Sequence, residues 1–241
     1  MVQVEVIEAT PNPEILVCIA ARGDYMESPP WKVPFDEVMK PVAGKSTSDK
    51  VEHLVKKLMN AGHWGPFEHP VITLGFDNLS RVTLAQVTRH RIATFDVQSA
   101  REVSYSSLTS AQLIWPPSFT EERAKSRREG AREITISKDE REKAVNVVWE
   151  AQLALYRRLV EGGVPAEDAR YVLPLATPVH GTASFNARSL MHVIAIRTFG
   201  DAQWEIRQLA ARMLELAKKW MPVTFAYFES KFMKERSILA P

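Results

Sequence analysis

Residues 86–101 read Gln-Val-Thr-Arg-His-Arg-Ile-Ala-Thr-Phe-Asp-Val-Gln-Ser-Ala-Arg, and this stretch dominates the interpretation of the chain. It places three arginines and a histidine within thirteen residues, with a serine two positions before the last arginine. An arginine guanidinium is always ionised, and its planar fork of donors matches the oxygens of a phosphate group. The stretch is therefore typical of an anion site, although a solvated basic helix face would have the same composition.

The residues just before this cluster predict that it closes a partly buried helix. From Ser80 to Arg91 the pattern is helical, and Gln86, Arg89 and His90 would lie on one face at positions i, i+3 and i+4. The preceding positions are mostly valine, leucine and alanine, so we expect much of this helix to be buried. Charges at the end of a buried helix need partners, and a bound phosphate would provide one.

The composition of the whole chain limits the class of protein. Its 241 residues suffice for one large domain or two small ones with a sizeable core. A hydrophobic share of 45% is ordinary for a soluble globular protein, and 31 basic against 29 acidic side chains argue against a nucleic-acid-binding module. No apolar run reaches the length of a membrane span and the first residues lack a signal-peptide profile, so we expect a cytoplasmic protein.

Thiol and metal chemistry have few candidate residues. Cys18 is the only cysteine, and it lies in the apolar run 15–20, which we interpret as a buried strand with the cysteine as a small hydrophobic side chain. His63, Glu68 and His69 could form a metal site together with His90. The spacing of His63 and His69 is not that of a helical pair of ligands, however, so we expect no metal.

Two stretches have the alternating pattern of strands. They are residues 2–8 and a stretch opened by Pro70, in which Ile72, Leu74 and Phe76 share one face. The segments between regular elements that are rich in proline, serine or threonine are predicted to be irregular; they are residues 25–45 and 104–120.

Caps and apolar stripes predict three long helices, which begin after Ser48 or Asp49, after a capping box of Ser137 with Glu140, and after Asp201. The second of these helices should end at Gly162 and Gly163. Its buried stripe is predicted to consist of Ala144, Val148, Ala151, Leu155 and Leu159. The mixed-charge segment 121–132 is interpreted as a solvated helix. Because the chain contains no repeat and no long linker, we predict one α+β domain over residues 1–241.

Arg-His-Arg, seven residues and Ser, as found from Arg89 to Ser99, is also the signature of the flavin-dependent thymidylate synthases, which this chain resembles. Blocks at residues 63–69, 163–174 and 186–206 resemble further segments of that family, in the family's order. The resemblance implies several long helices wrapped around a mixed or antiparallel sheet. It also implies a homotetramer whose active sites are shared between subunits.

The activity that the resemblance implies is the reductive methylation of deoxyuridylate (dUMP) to thymidylate (dTMP). The implied one-carbon donor is 5,10-methylenetetrahydrofolate, and the implied reductant is NADPH, acting through FAD. The chain has no Gly-x-Gly-x-x-Gly after a strand, so side chains rather than a Rossmann-type loop would bind the phosphates. The implied partners are these small molecules and further copies of the chain, with no nucleic acid and no membrane.

Matching positions assign the family's roles to residues of this chain. The dUMP set is Gln86, Arg89, Ser99, Ala100, Arg101, Arg170 and Arg197. The FAD set is His63, Gly65, Glu68, Arg89, His90, Arg91, Asn186, Arg188 and His192. Arg197 is the one catalytic assignment, since a guanidinium against the pyrimidine could stabilise negative charge as the ring accepts hydride at C6. Ser99 is assigned to substrate positioning because no His-Asp partner is evident in the sequence.

The chain departs from the family pattern at several positions. Val97 stands where the family usually has an acidic residue, and Ala85 where a further arginine is frequent. Glu102 replaces the aromatic residue that commonly follows the last arginine, with Tyr105 as an alternative aromatic. His192 replaces a common asparagine and can still donate one hydrogen bond to flavin.

Simpler interpretations stay open for individual residues and for the whole chain. Arg170 alone is typical of a surface ion pair, and Asn186 alone is typical of a helix N-cap, although it could be both cap and ligand. For the chain, the other hypotheses are a nucleic-acid-binding module and a flavin- or nucleotide-binding relative that has lost methyl transfer.

Overall fold

In the computed structural model, which describes residues 2–121 and 134–233, four strands form one antiparallel sheet in the order β1-β2-β4-β3. The strands are β1 (Gln3–Ala9), β2 (Val71–Ser80), β3 (Thr94–Val97) and β4 (Pro178–Asn186). On β2, the side chains of Ile72, Leu74 and Phe76 are all buried, which confirms the predicted face. A hydrogen bond of 2.8 Å between the hydroxyls of Thr73 and Ser184 joins β2 to β4.

Helices make up most of the remaining described structure, and the fold is α+β as predicted. The helices are α1 (Pro13–Gly23), α2 (Phe35–Val38), α3 (Thr47–Asn60), α4 (Arg81–Val87), α5 (Pro117–Thr120), α6 (Lys138–Glu161), α7 (Ala166–Ala169), α8 (Ala187–Thr198), α9 (Trp204–Trp220) and α10 (Pro222–Lys231). Short 3-10 turns occur at Pro30–Lys32, Gly65–Glu68, Ser110–Gln112 and Arg170–Val172. The segments predicted to be irregular thus contain only short helical turns. The predicted helix at 121–132 lies, apart from Glu121, outside the described residues.

The described residues divide into two compact units. The first contains Val2 and Gln3 with the described residues of Phe76–Arg89 and Asp96–Gly181. The second contains Val4–Gly75, His90–Phe95 and the described residues from Thr182 onward. The single domain over residues 1–241 stays a prediction. No helix among the described residues is long and apolar enough to cross a membrane.

The core of the first unit lies against α6. Leu153 and Tyr156 of this helix are buried together with a set of residues from the segments around it, namely Ala100, Tyr105, Leu108, Leu113, Ala169 and Ala176. Ser137 is the N-cap of α6 and Gly162 its C-cap, as predicted, and Gly163 follows with a φ of 85° that favours glycine.

The predicted buried stripe of α6 is wrong. Ala144, Val148, Ala151 and Leu155 are exposed, and Leu159 is only half-buried. Leu153 and Tyr156 lie on the neighbouring face, which packs in the core, and there the Tyr156 hydroxyl accepts a hydrogen bond of 3.2 Å from the Tyr105 backbone N–H. The periodicity correctly identified an apolar face of α6. The face of α6 that packs against the core, however, is a different one.

In the second unit, α1 corrects the prediction of a strand at residues 15–20. Pro13 occupies the first helical turn with Glu14, and Asn12 before them has a left-handed backbone with a φ of 46°. A short apolar run has no periodicity of its own, so the sequence pattern could not separate a buried helix from a buried strand. The burial of Cys18 was predicted correctly, and this burial raises the pKa of its thiol to about 12.

Two helix caps lie a few residues from their predicted positions. Ser46, rather than Ser48, is the N-cap of α3, and it forms a reciprocal capping box with Asp49. Gln203, rather than Asp201, is the N-cap of α9, and its side-chain oxygen accepts from two backbone N–H groups of the first turn. An N-cap needs an extended backbone, and both Ser46 and Gln203 have one.

The start of α10 is held by a carboxylate from α1. Glu14 Oε1 accepts from the Thr224 backbone N–H at 2.7 Å and from the Thr224 hydroxyl at 2.9 Å. Burial raises the pKa of the Glu14 carboxyl, and the hydrogen bonds from Thr224 offset only part of this rise.

We expect Glu14→Ala to destabilise the protein by about 2 kcal/mol, because it leaves the Thr224 donors unsatisfied in a half-buried site. Glu14→Gln keeps an acceptor and should change stability much less. Because the pKa of Glu14 is raised in the folded state, the contribution of this carboxyl to the stability of the wild-type protein falls as pH rises through that pKa. The Gln variant should therefore gain stability relative to wild type between pH 4 and pH 7, as measured by urea unfolding at each pH. A difference that does not vary with pH would contradict the raised pKa.

Candidate functional site

The signature stretch is a short helix followed by a turn, not one long helix. Helix α4 is capped by Ser80 but ends at Val87, after which the Thr88 hydroxyl donates to the Leu84 carbonyl at 2.9 Å. The Ala93 N–H then donates to the His90 carbonyl at 3.2 Å, which closes a turn. The prediction that the helix extends to Arg91 is wrong, and two of the seven residues of α4 are fully buried.

This turn separates the three charged residues of the signature. Arg89 and Arg91 are exposed, whereas His90 is only 8% exposed. The predicted common helical face of Gln86, Arg89 and His90 therefore does not exist. The two guanidiniums are accessible to a ligand, and the imidazole is directed into the protein.

His90 contacts two residues of α8. Arg197 Nε donates to His90 Nε2 at 2.8 Å, and the rings of His90 and His192 lie 6.4 Å apart with an interplanar angle of 80°. Burial, and then the charges of Arg197 and His192, lower the pKa of His90 to about 4. His90 is thus neutral at neutral pH, with its proton on Nδ1 and the lone pair of Nε2 towards the guanidinium.

A second pair of predicted FAD residues also meets in this unit. Arg188 Nη1 and Glu68 Oε1 form an ion pair at 2.5 Å, and both side chains are about half exposed. The pairing is possible because the 3-10 turn Gly65–Glu68 packs against α8. Asn186 is the N-cap of α8 and accepts from the Ser189 N–H at 2.7 Å, which confirms its predicted cap role.

Three members of the FAD set are not brought into these pairs. The side chains of His63, Arg89 and Arg91 are exposed, and they make no hydrogen bond or ion pair with the described residues. Among the described residues, no group of three or more His, Cys, Asp or Glu side chains is arranged to hold a metal ion.

Two of the predicted dUMP residues of the first unit, Arg101 and Arg170, contact Glu167. Arg101 Nε pairs with Glu167 Oε2 at 3.0 Å, and Arg170 Nε donates to the Glu167 carbonyl at 3.0 Å. The Ser99 hydroxyl accepts from the Arg101 N–H at 3.2 Å. Ser99, Arg101 and Arg170 are all exposed and Ala100 is buried, so the turn offers a hydroxyl and the arginines offer guanidiniums to solvent.

The two units contain different parts of the predicted site. The dUMP set lies in the first unit apart from Arg197, and the FAD set lies in the second apart from Arg89. Sequence reasoning missed Glu167, because its carboxylate pairs with Arg101, which is distant in the sequence, and no local pattern indicates that contact.

Comparisons with known proteins agree with the resemblance. The family model described as thymidylate synthase complementing protein matches residues 5–223. The flavin-dependent thymidylate synthase of Halobacterium salinarum is 40% identical to this chain, and the match covers 99% of this chain and 100% of that protein. The protein of the same name from Haloarcula marismortui is also 40% identical, with 99% of each chain covered.

A solved structure has the same fold. The UMP/dUMP methylase PolB from Streptomyces cacaoi, bound with 5-Br dUMP, superposes with a TM-score of 0.77 at 25% identity, and the match covers 95% of each chain. The fold and the sequence matches define the class of thymidylate synthase complementing proteins. Within that class, the chain belongs to the flavin-dependent thymidylate synthase family.

Proposed function

We propose that this enzyme methylates dUMP to dTMP with FAD as its cofactor, 5,10-methylenetetrahydrofolate as the one-carbon donor and NADPH as the reductant. The observation that carries the proposal is the hydrogen bond of His90 with Arg197. It joins the signature stretch to α8, and the family resemblance assigns flavin and pyrimidine contacts to these two segments. The near full-length similarity to flavin-dependent thymidylate synthases supports it.

The donor set fits a flavin nucleotide. The exposed guanidiniums of Arg89 and Arg91 would bind its phosphates, with Arg188 on α8 as a further cation. FAD, when bound, supplies the hydride for the reduction. Neutral His90 would hold its ring proton on Nδ1, and His192 would add a hydrogen-bond donor. Glu68 would orient Arg188 through the ion pair that the two already form.

The dUMP phosphate would be bound by the exposed group around Ser99. Arg101 and Arg170 would supply guanidiniums and Ser99 a hydroxyl, with Gln86 and Arg89 completing the set. Arg101 is paired with Glu167, so a phosphate would compete with this carboxylate for the same guanidinium. Arg197 would lie against the pyrimidine and stabilise its developing negative charge.

We also propose a cytoplasmic homotetramer with active sites shared between subunits. The exposed apolar face of α6 supports a partner subunit, since Val147, Val148 and Leu155 are each more than two-fifths exposed. The balance of 31 basic and 29 acidic side chains supports small-molecule partners rather than nucleic acid.

The test is a visible absorbance scan of the purified protein after incubation with FAD and desalting, repeated with dUMP. We expect retained flavin bands that shift with dUMP, and dTMP formation that depends on both methylenetetrahydrofolate and NADPH. Parallel assays with NADH test the choice of reductant. A protein that retains no flavin, or that retains it without forming dTMP, would contradict the proposal.

A further inference from the structure

Gln98, the residue just before Ser99, is fixed through its backbone and its side chain. Its N–H donates to the His180 carbonyl at 3.0 Å, and its Oε1 accepts from the Tyr105 hydroxyl at 3.0 Å. Arg81 Nη2 donates to the Tyr105 hydroxyl oxygen at 2.9 Å and makes a longer contact of 3.4 Å with the Gln98 carbonyl. Arg81, Gln98 and Tyr105 therefore form a closed triangle of hydrogen bonds, which we call the Gln98 clamp.

The Gln98 clamp is anchored in the core of the first unit. Tyr105 is only 6% exposed, and its backbone N–H donates to the hydroxyl of the fully buried Tyr156. Ala100, two residues after Gln98, is buried in the same cluster. The clamp thus joins the signature turn to α6. Within it, the Tyr105 hydroxyl accepts one hydrogen bond and donates another, so this buried polar group is satisfied.

The turn that follows the clamp carries the exposed groups. The Ser99 carbonyl accepts from the N–H groups of Glu102 and Val103 at 3.2 and 3.0 Å, and its hydroxyl accepts from the Arg101 N–H. The last of these bonds holds the Ser99 hydroxyl next to the Arg101 backbone N–H. The orientation of the whole turn therefore depends on where Gln98 is held.

We propose that Arg81 and Tyr105 are positioning residues for the phosphate of dUMP, acting through Gln98 on Ser99 and Arg101. This inference rests on the proposed function. A site that is already ordered spends less binding free energy on ordering its groups, so the clamp lowers the cost of binding the nucleotide. It also supplies a buried aromatic ring in a chain that has Glu102 where its family commonly has an aromatic residue.

The test compares Tyr105→Phe with Tyr156→Phe as a matched control. Each variant removes one phenol hydroxyl from the same buried cluster, but only that of Tyr105 contacts Gln98. We expect Tyr105→Phe to raise the KM for dUMP and its Kd about five- to tenfold, the effect of one lost hydrogen bond, with flavin binding retained and kcat within about twofold. Tyr156→Phe should lower the Tm comparably and raise the KM less than Tyr105→Phe does, because it leaves the three hydrogen bonds of the clamp in place.

Arg81→Lys gives an independent readout. It keeps the positive charge, but a lysine lacks the planar guanidinium that contacts both the Tyr105 hydroxyl and the Gln98 carbonyl. It should raise the KM for dUMP about as much as Tyr105→Phe, and the double variant should be no worse than either alone. A KM for dUMP that is unchanged in Tyr105→Phe and Arg81→Lys, or equally raised in Tyr156→Phe, would overturn the inference. If Tyr105→Phe does not fold, Arg81→Lys decides. Failure of the proposed function is distinguishable, because wild type itself would then form no dTMP.

Discussion

Arg197→Ala is expected to retain FAD while its kcat for dTMP formation falls about a hundred- to a thousandfold. Loss of a single preorganised charge donor at a reacting centre has an effect of this size. In the structure the Arg197 guanidinium is placed by its hydrogen bond to the buried His90. The measurement is single-turnover dTMP formation at saturating dUMP, with flavin content read from visible absorbance.

The same variant should change the titration of His90. The Arg197 charge is one cause of the lowered His90 pKa, after burial, so its removal should raise that pKa from about 4 towards 6.5. NMR titration of the ring protons measures this shift. Arg197→Lys keeps the charge and serves as the control, with a smaller shift expected. Wild-type turnover by Arg197→Ala would remove the catalytic role from this residue.

Leu153→Ala is expected to lower the free energy of unfolding of the isolated subunit by about 3 kcal/mol, whereas Leu155→Ala should change this value by less than about 0.5 kcal/mol. The two leucines lie on the same helix, α6, and the same atoms are deleted. Leu153 is 1% exposed and Leu155 is 45% exposed, so only the first leaves a cavity in the core. Urea unfolding at one fixed protein concentration measures both values.

Leu155→Ala also tests whether another subunit covers α6. If the exposed face is a contact between copies, the variant should dissociate at a lower dilution factor in sedimentation experiments, while its isolated subunit unfolds like wild type. Equal losses of subunit stability in the two leucine variants would contradict the observed face of α6.

Local patterns predicted those features of the fold that neighbouring residues determine. The face of β2 followed from strict alternation, and the cap at Asn186 followed from a residue type that satisfies free N–H groups before a helix. The residues of the predicted site came from the resemblance to the family, not from periodicity. The meeting of His90 with Arg197, which are 107 positions apart, could not be read from either segment alone.

The misses share a physical cause, which is that distant contacts decided the outcome. Cys18 lies in a run whose composition suits both a buried strand and a buried helix, and packing in the second unit selects the helix. The rotation of α6 follows the packing of Leu153 and Tyr156 against residues distant in the sequence. The early end of α4 accompanies the burial of His90, a polar residue that its local pattern placed on a charged helix face.

The single cysteine gives the second unit a built-in chemical reporter. Cys18 has no exposed surface, and its pKa of about 12 leaves almost no thiolate at neutral pH. A maleimide or disulfide reagent can therefore react only when α1 opens. Because no other thiol competes for the reagent, labelling rates in the native protein report the frequency of that opening without any engineered probe.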